Sequence, residues 1–313
     1  MTDHSHDQSS HAHGERRLAT ALVITAGYMV IEVVGGLVFN SLALIADAGH
    51  MLSDVMALGL SWVALQIGKR SPTDRHTFGF KRSEILAALF NGVALWVIVG
   101  VIFYEAAHRF MKPEPVAGLG MLCVAAVGLT INLVMAGLLY RSRSDSLNLR
   151  SAFVHVLSDA LGSVGAIAAA LIILATGRYW VDPLASMMIG VVILYSSWHL
   201  VKESVHILME AVPSRVGIRD IEEAMLRQPG ICCVHDLHVW SISSNRVALS
   251  AHVVLSDPEQ NRTLVLNELN EILHEKFKID HTTIQIEGTH EIHPEVEGLV
   301  CRPGTECNVP EGN

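Results

Sequence analysis

Two pentads with the same spacing of chemically active side chains stand out in this chain. One reads His-Met-Leu-Ser-Asp from His50 and the other His-Val-Leu-Ser-Asp from His155, each inside a long apolar run. On a helix, residues four apart share one face at about 6 Å, so each pentad presents an imidazole beside a carboxylate. Two such helices packed together hold the nitrogen and oxygen donors of a tetrahedral divalent-metal site. The predicted ligands are His50, Asp54, His155 and Asp159.

Ionisable groups inside apolar runs need a reason to be there. Each costs about 2.5 to 3.5 kcal/mol at the centre of a bilayer on insertion scales. A lone intramembrane His is more often a hydrogen-bonded packing residue than a ligand, but repetition of the whole pentad favours a shared metal site. Asp47, three residues before His50, is predicted to orient that imidazole without binding the ion. The alternative is that Asp47 passes the ion toward the exit.

The composition indicates a polytopic membrane protein with a soluble portion. Half of the 313 residues are hydrophobic and 17% are charged, with a mean hydropathy of +0.39. A net charge of -9 argues against a nucleic-acid partner. Stretches of about 20 apolar residues span a bilayer. Stretches of this length in the sequence predict six transmembrane helices in contact with membrane lipid, at 18–39, 42–67, 84–107, 116–140, 152–176 and 180–201.

The basic residues beside these spans predict their orientation. Lys and Arg precede the first span and fill the second-to-third and fourth-to-fifth connections, whereas the opposite connections hold few. The positive-inside rule then places both termini in the cytoplasm. Residues 1–15 lack the n-region and cleavage site of a signal peptide. We therefore expect a multi-pass protein of the cytoplasmic (inner) cell membrane.

Four regions follow one another along the chain. Residues 1–15 form a His-rich tail, which suits loose metal collection or simple solubilisation. Residues 16–210 form the six-helix domain, and residues 291–313 are predicted to be a flexible tail. Residues 211–290 show the order helix, strand, strand, helix, strand. The predicted fold is an all-α transmembrane domain of six helices plus a small cytoplasmic α+β (αββαβ) domain.

The soluble region contains a second group of potential ligands. Taken singly, each of its histidines is typical of a surface residue, but strands can bring them together around a metal. The predicted cytoplasmic site consists of His235, His238, His252, His281 and Glu287. The second-to-third connection adds a weaker candidate loop site at Asp74 and His76, where a turn with solvated charges is the favoured alternative.

Taken together, these features resemble the cation diffusion facilitator family, and most of all its bacterial zinc, cobalt and cadmium resistance subgroup. The resemblance covers residues 16–288. It rests on the six spans, the two pentads, the His-rich tail and the sequence Val-His-Asp-Leu-His-Val-Trp at 234–240. It implies a homodimeric exchanger with its transport site on the pentads. It also implies a charge interlock, an ion pair between Arg82 at the start of the third span and Glu210 at the junction with the soluble domain. Phe80 and Gln285 stand where some members have His, so the loop and cytoplasmic ligand sets depart from the family pattern.

The chemistry of the pentads suits exchange of a metal for protons. Bound metal requires neutral imidazoles and ionised carboxylates, so binding releases protons and protonation releases the metal. Zinc is the first expected substrate and also the expected regulatory ligand, with cobalt or cadmium next, because such ligands serve all three. The sequence lacks a Gly-rich phosphate loop, which agrees with transport without ATP. A passive channel, a metal-sensing receptor and an intramembrane acyl-transfer enzyme with His/Asp as base are the alternatives. We predict a secondary transporter and not an enzyme.

Overall fold

The structure is a computed structural model that describes residues 23–140, 147–244, 246–257, 259–288 and 300–301. The chain divides into two compact units. The first consists of the residues up to Trp62 together with Ala88–Val201, and the second of Val63–Ala87 together with the residues from Lys202 onward. The helices Leu42–Gly68, Ser83–Met111 and Val181–Leu208 contribute to both units.

Long apolar helices make up the first unit, as the sequence predicts. Five of the described helices are long and apolar enough to cross a membrane, and a shorter apolar helix precedes them. The predicted start of the first span, residues 18–22, lies outside the described residues. The helices are α1 Val23–Val38, α2 Leu42–Gly68, α3 Ser83–Met111, α4 Gly118–Tyr140, α5 Leu147–Thr176 and α6 Val181–Leu208.

The sixth helix continues further than its apolar stretch predicts. The sequence pattern ends that span at residue 201, but α6 runs on through Lys202 and His206 to Leu208. Backbone hydrogen bonds continue a helix whether lipid or water surrounds it. Hydropathy therefore marks the apolar part of the span and not the end of the helix.

Small residues let the helices of the first unit pack closely. A buried cluster joins α2, α4, α5 and α6 through side chains that include Ala43, Ala125, Ala166 and Ala170. At Gly162 of α5, a Cβ atom would lie 3.0 Å from Oδ1 of Asp47 on α2. Glycine therefore allows α2 and α5 to approach each other where the pentads lie.

The second unit contains the predicted αββαβ order. Its elements are α7 Ile218–Leu226, β1 Ile231–Ser243, β2 Arg246–Leu255, α8 Arg262–Phe277 and β3 His281–Glu287. Strands β1 and β2 are antiparallel, and β2 and β3 are parallel. The inward face of the sheet packs against α7 and α8 in one apolar core that includes Met225, Leu249 and Leu269. The predicted fold class is confirmed.

A short fourth strand lies within the segment at 291–313 that the sequence predicts to be a flexible tail. Val300–Cys301 forms β4, which pairs antiparallel with β1 opposite Val234 and Cys233. The sheet order is therefore β3-β2-β1-β4. Without β4, β1 would be an edge strand, and the backbone N–H and C=O groups of an edge strand can pair with another segment of the chain. Two residues are too short for a strand pattern to show in the sequence. The other residues of this predicted tail lie outside the described part of the chain.

Candidate metal centre

The structure brings residues of the two pentads together across α2 and α5. The Nε2 atom of His50 lies 3.8 Å from Oδ1 of Asp159. His50 is 22% exposed and Asp159 is 6% exposed, so the imidazole is the more accessible of the two. One nitrogen donor and one carboxylate donor, from different helices, therefore face the same point.

The remaining pentad residues occupy the expected helix positions. Asp54 is half-buried on α2, one turn beyond His50. His155 lies on α5, four residues before Asp159, but its side chain is outside the part of the chain that the structure describes. The i, i+4 spacing places His155 on the same face of α5 as Asp159.

A cavity of about 520 Å³ adjoins this pair. Helices α2, α5 and α6 line it, and most of its wall is apolar, including Met188 and Val192. Its polar wall contains His50, Asp159 and the neighbouring Asp47. An apolar cleft with a few convergent polar groups is the usual form of a small-ligand site.

Asp47 lies deeper than the sequence implies, and a further buried carboxyl group lies near it. Asp47 is 4% exposed, and Glu32 on α1 is 1% exposed. The hydroxyl of Tyr28 donates to Oε1 of Glu32 at 2.6 Å. Because Glu32 and Asp47 belong to different helices, their spacing in the sequence does not indicate that they are neighbours.

A second group of ligands converges on the sheet of the other unit. Glu287 lies between two imidazoles, with Oε2 3.0 Å from Nε2 of His235 and Oε1 2.7 Å from Nδ1 of His252. The donor atoms of these three residues all lie within 4.8 Å of one another. Register explains the convergence, because His235 pairs with His252 across β1 and β2, and β3 runs alongside β2.

A bulge in β1 adds a carboxylate that the sequence did not reveal. The register of β1 against β2 shifts between His235 and His238, and Asp236 has a left-handed φ of 51°. The bulge directs the Asp236 side chain to the exposed rim of this ligand group. There its Oδ1 is 3.0 Å from Nε2 of His238, and its Oδ2 is 3.9 Å from Nε2 of His252. Bulges of this kind re-aim side chains near functional sites, but an alternating strand pattern does not show them.

One of the predicted ligands of the cytoplasmic site, His281, lies away from this group. His281 begins β3 opposite Ala248, six residues before Glu287 and hence about 20 Å away along the strand. Its ring contacts Phe78, with centroids 5.4 Å apart. The structure therefore does not bring His281 to the other residues of the predicted cytoplasmic site, because strand alternation specifies a face of the sheet but not a position along it.

The loop candidates lie in a turn. Thr73 and His76 form an isolated antiparallel bridge, and the ring of His76 packs against Phe80 at 4.6 Å. Asp74 and His76 are exposed. Across the described ranges, no group of three ligands includes either residue, which fits the solvated turn better than a metal site.

The two residues of the implied charge interlock are in contact. Nη2 of Arg82, beside the start of α3, lies 3.0 Å from Oε1 of Glu210, beyond the end of α6. Both side chains are largely accessible, at 38% and 62% exposure. Exposed pairs of this kind contribute about 0 to 1 kcal/mol, so the contact adds little stability by itself.

Comparison with known families identifies the class of protein. The model described as the cation efflux transmembrane domain matches residues 18–209, and the one described as the cation efflux protein cytoplasmic domain matches residues 213–289. The chain belongs to the cation efflux family. The predicted family is thereby confirmed. Members of the cation efflux family are transporters, so this chain is a multi-pass membrane transporter and the enzyme alternative is set aside.

Several named relatives match nearly the whole chain. The cadmium, cobalt and zinc/H(+)-K(+) antiporter of Bacillus subtilis is 40% identical over 311 residues, covering 97% of each chain. The metal cation efflux system protein CzcD of Cupriavidus metallidurans is 44% identical over 285 residues, covering 91% of this chain and 89% of CzcD. The zinc transporter ZitB of Escherichia coli is 43% identical over 290 residues, covering 91% and 92%.

A solved structure is similar in sequence over the C-terminal part. It is the metal-bound C-terminal domain of the CzcD transporter from Cupriavidus metallidurans, at 41% identity. The match covers 23% of this chain and 99% of that chain, with a TM-score of 0.22.

Proposed function

We propose that this protein exports a divalent metal cation from the cytosol in exchange for protons, with zinc as the first substrate and cobalt or cadmium as the next. The observation that carries the proposal is the approach of His50 and Asp159, 3.8 Å apart across α2 and α5. This contact joins the two pentads at one point beside a cavity. The similarity to relatives named as zinc, cadmium and cobalt transporters supports the same substrates.

The distance suits a shared metal ion. Zinc binds imidazole nitrogen and carboxylate oxygen at about 2.0 to 2.2 Å, so two ligands of a tetrahedral site lie about 3.3 to 3.5 Å apart. Closing the His50–Asp159 gap from 3.8 Å needs a movement of only a few tenths of an ångström. The full ligand set is proposed to be His50, Asp54, His155 and Asp159.

Proton coupling follows from the nature of these ligands. A metal displaces protons from imidazole and carboxyl groups when it binds, and protons displace the metal when they return. A proton gradient across the membrane can therefore drive the metal outward through the same four side chains. The relative in Bacillus subtilis is named as an antiporter that uses H(+).

The soluble unit is proposed to regulate transport as part of a homodimer. His235, His252 and Glu287 would hold a regulatory zinc ion, with Asp236 and His238 at the rim. Metal binding there would favour one arrangement of the dimer, and the Arg82–Glu210 contact would hold the start of α3 against the chain that follows α6. Both termini and this domain are proposed to face the cytoplasm.

Transport by reconstituted protein tests the proposal. Proteoliposomes with an imposed pH gradient would be compared with vesicles that lack the gradient, using zinc-dependent fluorescence inside the vesicles. We expect gradient-dependent zinc movement that the His50→Ala variant abolishes and the Asp257→Ala variant, altered at an exposed turn, leaves intact. Zinc flux that ignores the gradient would indicate a channel instead, and absence of flux a receptor.

A further inference from the structure

The first turn of α2 is held by a side chain from another helix. Asp182, at the start of α6, has no exposed surface. Its Oδ2 accepts a hydrogen bond from the backbone N–H of Leu42 at 2.7 Å. Its Oδ1 accepts from the hydroxyl of Ser41 at 2.7 Å and from the N–H of Ala43 at 3.3 Å. Asp182 therefore caps α2 from α6.

The chemistry of this contact makes it strong and directional. The first N–H groups of a helix have no partner within the helix, and the positive end of the helix dipole favours a carboxylate there. Hydrogen bonds to an ionised group are shorter than those between neutral groups. Asp182 accepts three hydrogen bonds here, and the 2.7 Å bond from the N–H of Leu42 is short for a backbone donor.

Other elements hold the connection that leads into this turn. Nη1 of Arg109 on α3 donates to the carbonyl of Asn40 at 2.9 Å. The backbone N–H of Ala117, just before α4, donates to the carbonyl of Phe39 at 3.1 Å. The connection between α1 and α2 is thus tied to three other parts of the first unit, and the start of α2 has a defined position against α6.

That position is transmitted to the metal ligands through a continuous helix. His50 and Asp54 lie eight and twelve residues after Leu42 on α2, or about 12 and 18 Å along its axis. Helix α6 also lines the cavity that contains His50 and Asp159. A shift at the Asp182 cap would therefore change the height of His50 against Asp159 on α5.

We propose that Asp182 is a positioning residue for the transport site, and that its cap on α2 tunes the site for zinc over the larger cadmium ion. The inference rests on the proposed function. When the cap fixes the position of α2 along its axis, the four ligands stay close enough together for a small tetrahedral ion. When the cap is lost and α2 can shift, the distances between the ligands increase, which weakens zinc binding more than cadmium binding.

Metal-dependent transport by the full-length protein in proteoliposomes tests this role. We expect Asp182→Ala to raise KM for zinc roughly tenfold, at the lower end of what loss of ligand-orienting contacts costs, and to raise KM for cadmium much less. Asp182→Asn keeps an oxygen acceptor for Ser41, so it should restore part of the zinc preference. Thr176→Ala is the matched control, because the Thr176 hydroxyl at the end of α5 donates to the carbonyl of Ile172 and accepts from the backbone N–H of Arg178, two contacts that involve neither α2 nor α6.

The outcomes separate this inference from the proposed function. An unchanged ratio of zinc to cadmium KM in both Asp182 variants, or an equal loss for both metals, would overturn the positioning role. If His50→Ala still transports zinc normally, the proposed function itself fails. Zinc binding at the His235, His252 and Glu287 group in the same preparation checks folding. Should Asp182→Ala not fold, Asp182→Asn decides the question.

Discussion

The two proposed metal centres of this protein differ in how close together their ligands lie. In the sheet, Glu287 contacts His235 and His252 at 3.0 and 2.7 Å, and both Glu287 and His235 are buried. Between the helices, His50 stands 3.8 Å from Asp159, beside a cavity. A site that must load and release its ion at each cycle benefits from an open approach. A site that retains an ion benefits from ligands held by a rigid sheet.

The largest effect is expected at the helix site. Asp54→Ala removes one of four proposed ligands and a charge that offsets the metal, so zinc transport in proteoliposomes should fall to background. Zinc binding at the sheet site of the same protein should be unchanged. A variant that still transports at half the original rate or more would show that Asp54 is no ligand and would remove the contrast between the two centres.

The next largest effect is expected at the sheet site. Glu287→Gln keeps the size of the side chain but removes the charge between His235 and His252, so we expect zinc affinity at this site to fall by at least about tenfold. Isothermal titration of the full-length protein measures this affinity. The protein carries Asp54→Ala in addition, so that zinc binding at the helix site does not contribute to the signal. Transport by Glu287→Gln should be reduced and not abolished. Abolished transport would mean that the sheet site is part of the ion path.

A smaller effect is expected at the ion pair between Arg82 and Glu210. Because both side chains are accessible, Arg82→Ala should lower the free energy of unfolding by less than about 1 kcal/mol. If the pair acts as an interlock, Arg82→Ala, Glu210→Ala and the double variant should slow transport to the same extent. Additive losses in a double-mutant cycle would indicate two independent roles.

The smallest effect is expected at His281. Since this residue lies at the other end of β3 from Glu287, His281→Ala should leave zinc affinity at the sheet site within the error of titration. His252→Ala in the same assay serves as the positive control. A marked loss in His281→Ala would contradict the separation that the strand register imposes.

The helix site was accessible to sequence reasoning because its geometry is local. A spacing of four residues fixes the relation of His50 to Asp54, and of His155 to Asp159, on any α-helix. The repetition of the pentad then indicated that the two helices meet. The same reasoning located the spans, since their apolar length reflects the thickness of the bilayer.

What the sequence did not reveal depends on contacts between distant segments. Asp236 reaches its site through a bulge, and β4 forms because the free side of β1 binds a segment 66 or more residues later. Asp182 and Ser41 are 141 residues apart, and a separation of this length does not indicate that one residue caps the helix that follows the other. The separation of His281 from Glu287 along β3 is likewise not visible in the sequence, because a strand pattern gives the face on which a residue lies without its neighbours.

Zinc X-ray absorption spectroscopy of the purified protein, with the sheet site disabled by Glu287→Gln and His235→Ala, tests most directly whether α2 and α5 share one ion. We predict zinc bound by two imidazoles and two carboxylate oxygens at about 2.0 to 2.2 Å, with one imidazole lost in His50→Ala and one in His155→Ala. Retention of two imidazoles in either variant would contradict a shared ion.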